Sequence, residues 1–157
     1  MLNTLKAVGL ALAVVAALPP GLSRAADTPK PDVRAEIEAM LQSVDRLVKA
    51  HAPVKDIAEA FYEPDLLITG EGEKGLYRSR EAFMKPLQAF VENGSGCTLK
   101  IVDPLRHSGS FAAAFVSEHC KAPDSKDADS DARVLYVFRK GANGWRVTME
   151  MYDNGTI

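Results

Sequence analysis

The sequence is poor in the residues from which histidine- and thiol-based reactive centres are assembled. It holds three histidines in 157 residues, and His51, His107 and His119 fall at a helix end, a hairpin end and a strand. They show no metal-ligand spacing and have no serine or cysteine partner in a recognisable triad, so neither a histidine metal centre nor a histidine-activated nucleophile is legible. Basic residues are not in excess, 19 Lys and Arg standing against 21 Asp and Glu. That leaves no basic face to recruit nucleic acid. The longest apolar run, Ala7 to Leu18, has twelve residues and is too short to span a bilayer. The one glycine-rich turn, Gly70-Glu-Gly-Glu-Lys-Gly75, has no phosphate-binding pattern, and Glu71 and Glu73 within it read as solvated surface. No cofactor motif is present, and none is expected.

What the sequence does contain begins with a leader. Lys6 supplies a positive start, the twelve-residue apolar run follows, Pro19-Pro20-Gly21 breaks it, and Ser23-Arg24-Ala25 forms a small-x-small cleavage signal. Residues 1–25 therefore read as a signal peptide, residues 26–31 as a flexible leader and residues 32–157 as one domain. The expected localisation is periplasmic or secreted, with no membrane attachment after cleavage; an uncleaved anchor is the alternative. Removing Lys6 and Arg24 leaves 17 basic residues against 21 acidic ones, a formal charge of minus four. In an oxidising compartment the even pair Cys97 and Cys120 is expected to form a disulfide.

Asp32 can cap a helix whose apolar positions Val33, Ile37, Met40, Leu41, Val44, Leu47 and Val48 recur at three- and four-residue steps. Pro53 ends it near His51. A short helix over Lys55 to Tyr62 follows, closed by Pro64. Leu66 to Thr69 and Leu76 to Arg78 read as a small hairpin across the glycine-rich turn. Ser79 caps a third helix that ends at Asn93-Gly94, with Pro86 demanding a kink or a later start.

The last third is a sheet. A hairpin centred on Ser108-Gly109 pairs positions whose numbers sum to 217, which sets Cys97 opposite Cys120 within disulfide reach. The same register puts Asp103 on a face with Leu99, Ile101, Leu105, Ala114 and Val116, with Glu118 two positions along from Val116. Desolvation there would raise the Asp103 pKa and make it a general acid or base. Pro104 points the other way, because proline in a strand marks a bulge or edge that releases the carboxylate to water. The final hairpin turns at Gly141-Ala-Asn-Gly144. Its parity gathers Val134, Tyr136, Phe138, Val147, Met149 and Met151 on one face, expected to be covered and to line a ligand pocket.

Helices, an early hairpin and antiparallel strands carry three local patterns: Ile57-Ala-Glu-Ala-Phe61 running into Leu66-Leu-Ile-Thr69, Gly75-Leu-Tyr-Arg-Ser-Arg-Glu-Ala82, and Gly144-Trp-Arg-Val-Thr148. In these the chain resembles the nuclear transport factor 2-like superfamily, more narrowly its secreted SnoaL-like and ketosteroid-isomerase-like members. The resemblance implies an α+β fold, a cone-shaped curved antiparallel sheet wrapped by three N-terminal helices, with an internal pocket and often a homodimer through the outer sheet face. The family's isomerases place a proton-shuttling Asp, a Tyr donor and a second Asp where this chain has Thr69-Gly70, Asp45-Arg46 and Tyr136. A His-x-His of small secreted relatives is replaced by Met149-Glu-Met151. No acid–base set carries over.

Three functional readings follow. The first is a secreted domain that binds a small apolar or aromatic ligand without turning it over, Tyr136 giving one hydrogen bond and Met149 and Met151 adaptable apolar walls. The second is an isomerase, cyclase or dehydratase using Asp103 as acid or base. The third is a non-catalytic dimeric scaffold. No metal site is expected: Asp127-x-Asp129-x-Asp131 mimics a calcium loop but has Ala132 and Phe138 where glycine and glutamate are needed, and Met149-x-Met151 has no His or Cys predictably beside it. Arg78 and Arg80 read as flanking a helix start, with an anionic ligand as the alternative.

Overall fold

The computed structural model describes residues 32–93, 97–121 and 129–155. The leader assignments for residues 1–25 and 26–31 lie outside them, as do Asp124 and Asp127. Asp32 caps the first helix, α1 (Val33–Lys49), its carboxylate accepting from the amides of Arg34 and Ala35 at 3.0 and 3.2 Å. Ile37, Leu41 and Val44 form the buried stripe of α1. The second helix, α2 (Val54–Phe61), buries Ile57, Ala58 and Phe61 and runs straight into β1 (Tyr62–Gly70). Pro64 therefore lies inside a strand instead of closing a helix. It is tolerated because pairing between β1 and its neighbour lapses between Tyr62 and Leu67.

The expected early hairpin shrinks to one bridge, in which Ile68 and Tyr77 exchange both backbone hydrogen bonds at 2.9 and 3.0 Å. The third helix, α3 (Arg80–Asn93), starts at Ser79, whose Oγ accepts from the Ala82 amide at 3.1 Å, and carries Pro86 within it. The remaining strands are β2 (Cys97–Ile101), β3 (Arg106–Ser108), β4 (Phe111–Cys120), β5 (Ser130–Gly141) and β6 (Gly144–Asn154).

The strand order is β1-β6-β5-β4-β2, with β3 continuing the β2 edge alongside β4. The sheet is mixed, because β1 joins β6 in parallel while every other described pairing is antiparallel. One face is packed by the helices. Leu66 and Ile68 of β1, Ala112, Ala114 and Val116 of β4, Val134, Tyr136 and Phe138 of β5 and Trp145 and Val147 of β6 meet Ile37, Leu41, Ile57 and Phe61 in a single core. This is the α+β arrangement expected of a curved, helix-covered sheet.

Two irregularities decide which side chains enter that face. The β3–β4 hairpin turns at Gly109-Ser110, so its pairs sum to 219, as Ser108 with Phe111. Two extra residues between Ile101 and Arg106 then return the edge to the 217 register, in which Cys97 pairs with Cys120 and Ile101 with Val116. The disulfide expected from that register is present between Cys97 and Cys120. On β6, Phe138 pairs with Val147 but Val137 pairs with Met149, which leaves Thr148 as an extra residue. Such a bulge reverses the inward and outward parity of everything beyond it.

Candidate functional site

Between α1, α2, α3 and the covered face of the sheet lies a cavity of about 380 Å³. The helices line it with apolar groups, among them Val44, Val48, Ile57, Phe61, Phe83, Leu87 and Phe90, and the sheet adds Leu99 and the disulfide. Half-exposed Phe90 marks where it meets solvent. Its polar lining comes mainly from the sheet. The Thr148 bulge turns Glu150 and Tyr152 inward, where they join Tyr62 of β1, Glu118 of β4 and Tyr136 of β5.

Tyr62 Oη donates to Glu150 Oε2 at 2.8 Å, and Tyr136 Oη donates to Glu118 Oε1. Tyr62 and Tyr136 are buried and flank Phe61, with ring centroids 4.6 and 5.5 Å from it. Glu150 is the buried charged residue of the described core, 7% exposed. Burial disfavours its carboxylate, the nearby Glu118 adds like-charge repulsion, and the Tyr62 hydrogen bond opposes both, leaving its pKa pushed up to about 8. Burial also raises the Glu118 pKa, against the hydrogen bond from Tyr136. Both tyrosine hydroxyls are held well above their ordinary range, first by burial and then by the carboxyl beside them.

A second polar cluster adjoins the first. Glu73 accepts from Tyr152 Oη at 2.8 Å and from Tyr77 Oη at 3.0 Å. On α1, Asp45 Oδ2 accepts from Lys49 at 2.7 Å, whereas its Oδ1 is buried and has no hydrogen-bond partner among the described residues. Arg80 Nη1 donates to the Tyr62 carbonyl at 3.2 Å and Nη2 lies 3.6 Å from Glu59, so this arginine braces the strand that carries Tyr62.

The expected pocket residues divide. Tyr136 lines the cavity, and Val134, Phe138 and Val147 are buried core beside it. Met149 and Met151 are corrected: they lie beyond the bulge, on the outer face, 41% and 54% exposed. Asp103 is corrected as well. It sits in the two-residue insertion next to Pro104, exposed and outside the cavity, and its carbonyl accepts from Arg34 Nη1 at 3.4 Å. Glu118 does enter the cavity, with Glu150 in place of Asp103 as the neighbouring carboxyl. Of the positions set beside an isomerase's acid–base groups, Asp45 and Tyr136 line the cavity. Sequence reasoning missed Tyr62, Glu73, Glu150 and Tyr152. The repeated aromatic at Phe61-Tyr62, where a helical pattern gives way to an extended one, is the signal that could have exposed the first.

His119 lies between Asp129 and Asp131, at 3.5 and 2.9 Å, on an exposed part of β4 and β5. Among the described residues no group of three or more His, Cys, Asp and Glu side chains is arranged to hold a metal ion, and no helix is long and apolar enough to cross a membrane.

No family model and no curated protein matches this chain. Solved structures do. A nuclear transport factor 2-like protein with a cystatin-like fold from Novosphingobium aromaticivorans superposes with a TM-score of 0.61 at 16% identity, over 78% of this chain and 82% of that one. A proposed scytalone dehydratase from the same organism gives 0.60 at 12% identity, over 78% and 84%. A proposed dehydratase of the nuclear transport factor 2-like family from Streptomyces avermitilis gives 0.61 at 11% identity, over 80% and 97%. At these identities the likeness is one of fold.

Proposed function

On the nuclear transport factor 2-like fold that this chain adopts, we propose a secreted domain that binds a small, mostly apolar ligand in the cavity above Tyr136 and Glu150. One observation carries the reading: an apolar, aromatic-walled cavity converges on two carboxyls, buried Glu150 and half-buried Glu118, each oriented by a tyrosine. Setting a buried carboxyl beside a half-buried one costs roughly a few kcal/mol relative to filling the same space with apolar side chains. A purely structural core has no use for that cost, and perturbed groups of this kind gather where ligands are handled. A cavity left unfilled by the protein's own side chains also speaks against a scaffold that acts only through its surface. The leader pattern and the paired cysteines support an oxidising compartment.

The neutral dye N-phenyl-1-naphthylamine tests the site by its fluorescence gain in apolar surroundings. Leu99→Trp, which fills the cavity, should abolish the gain, while Met149→Trp on the outer face should leave it unchanged. The reverse pattern would move the site to the other side of the sheet.

A second reading has its own support. A carboxyl with a pKa of about 8 can take up and release a proton near neutrality, so Glu150 takes the role that Asp103 had in the isomerase or dehydratase alternative. The names of two structural neighbours lean the same way. If a co-purifying ligand is identified by native mass spectrometry, incubation in D2O separates the readings. Deuterium incorporation at carbon that is lost in Glu150→Gln means proton transfer, and none means binding alone.

A further inference from the structure

The ionisable groups lining the cavity are of one sign. Asp45, Glu73, Glu118, Asp131 and Glu150 all contribute to its wall, and among the described residues no lysine, arginine or histidine does. Two of the five already have partners: Asp45 is ion-paired with Lys49 at 2.7 Å, and Asp131 is hydrogen-bonded to the His119 ring at 2.9 Å. The other three, Glu73, Glu118 and Glu150, make no ion pair among the described residues and are held by tyrosine hydroxyls alone, Tyr77 and Tyr152 on the first, Tyr136 on the second and Tyr62 on the third. The rest of the wall is rich in aromatic faces: Phe61, Tyr62, Phe83, Phe90, Tyr136 and Tyr152.

From this geometry we infer that the cavity selects a small hydrophobic cation, a protonated amine on an apolar or aromatic frame, and rejects carboxylates and phosphates. The inference rests on reading the cavity as a binding site and names the ligand class of that site. A neutral apolar ligand would use the aromatic walls but leave the acceptor oxygens of Glu73, Glu118 and Glu150 with tyrosine hydroxyls as their donors and no ligand donor to meet them. An anion would be buried against like charges in a low-dielectric space. An ammonium supplies the missing opposite charge, gives donors to acceptor oxygens, and is attracted by the faces of the surrounding rings.

A proton balance accompanies binding. The groups that act on Glu150 are Tyr62 of β1, Glu118 of β4, Tyr136 of β5 and Tyr152 of β6, while α2 and α3 present only apolar side chains to the cavity and α1 presents Asp45, already paired. An ammonium placed among them favours the Glu150 carboxylate, so below pH 8 the carboxyl sheds its proton as the amine binds. Affinity should therefore rise from pH 6 to pH 8.

The test compares near-isosteric ligands on the purified protein at pH 7.5: 2-phenylethylamine, 2-phenylethanol and 3-phenylpropanoate, each displacing N-phenyl-1-naphthylamine. The amine should compete at least about tenfold better than the alcohol, and the carboxylate should not compete. In the Glu118→Gln/Glu150→Gln double variant, with calorimetry as the readout for both ligands, the amine and alcohol should come within about twofold of each other. Equal competition by amine and alcohol in the unmodified protein, or competition by the carboxylate, overturns the inference. Calorimetry with the amine alone, in two buffers of different ionisation enthalpy, needs no dye and should show proton release. A dye that fails to bind while the amine binds removes only the reading for neutral ligands. An amine that gives no heat and no thermal shift removes the cation inference, whatever the dye does.

Discussion

Glu150 stands directly opposite Tyr136 across β5 and β6. The extra residue Thr148 makes this so: without it Met149 and Met151 would face the helices and Glu150 would face solvent. A local kink in one strand thus converts an apolar wall into a polar floor, which joins backbone register to the chemistry of the cavity.

Stability should fall as pH rises. Glu150 has an ordinary carboxyl pKa near 4.5 when unfolded and about 8 when folded. Between those values the folded state holds the proton more tightly than the unfolded one, so each step up in pH favours unfolding. The loss begins near pH 4.5 and is complete by about pH 8. Urea denaturation at pH 5 and pH 8 should differ by roughly 2–4 kcal/mol, the raised pKa of Glu118 acting in the same direction. Glu150→Gln should flatten most of that slope and be more stable than the parent at pH 8. An unchanged slope would mean that Glu150 is solvated.

Tyr136→Phe removes the hydroxyl that Glu118 accepts from and leaves a desolvated carboxyl without that donor. The expected destabilisation is about 1–3 kcal/mol at pH 8, shrinking towards pH 5 as Glu118 takes a proton. Met151→Leu, on the exposed outer face, should stay within about 0.5 kcal/mol at both values. Comparable losses for the two variants would put Tyr136 outside the polar floor.

The bridge between Cys97 and Cys120 closes a loop of sequence separation 23 and ties β2 to β4 beside the cavity. Cys97→Ser/Cys120→Ser should lower stability by about 3 kcal/mol in urea titrations, and the intact parent should weigh two hydrogens less than its reduced form. Equal masses before and after reduction would show the thiols unpaired.

The order of helices and strands was legible because it rests on periodicity, turn residues and caps. Asp32, Ser79 and Gly141 to Gly144 lie at element ends as their chemistry requires. The cysteine pairing was legible too, although the hairpin turns one residue later than Ser108-Gly109 suggests; the two-residue insertion around Pro104 restores the sum. That insertion is what carries Asp103 to the surface, and Pro104 was its only mark in the sequence. The Thr148 bulge left no mark. Alternation reads Met149 and Met151 as inward because a period of two carries no record of a skipped pair, and only packing of Tyr152 and Glu150 against the neighbouring strands fixes the shift. Glu150 was hidden for the same reason, because it read as outer face, whereas Glu73 was hidden by lying in a turn that reads as solvated surface.

Gly70, at the end of β1, is where that packing is tightest. It pairs with Tyr152 of β6, and a Cβ placed on it would come within 2.5 Å of Cγ and Cδ2 of the Tyr152 ring. The ring cannot swing aside cheaply, because its hydroxyl is held by Glu73 at 2.8 Å. Gly70→Ala should therefore cost about 1–3 kcal/mol as overpacking and displace Tyr152 from Glu73. Gly75→Ala is the matched control: nothing lies within 4 Å of its added carbon, and its effect should stay within about 0.5 kcal/mol. Because Tyr152 and Glu73 both line the cavity, Gly70→Ala should also weaken dye binding severalfold while Gly75→Ala leaves it intact. A destabilised Gly70→Ala protein with unaltered dye affinity would separate the close approach at Tyr152 from the ligand site.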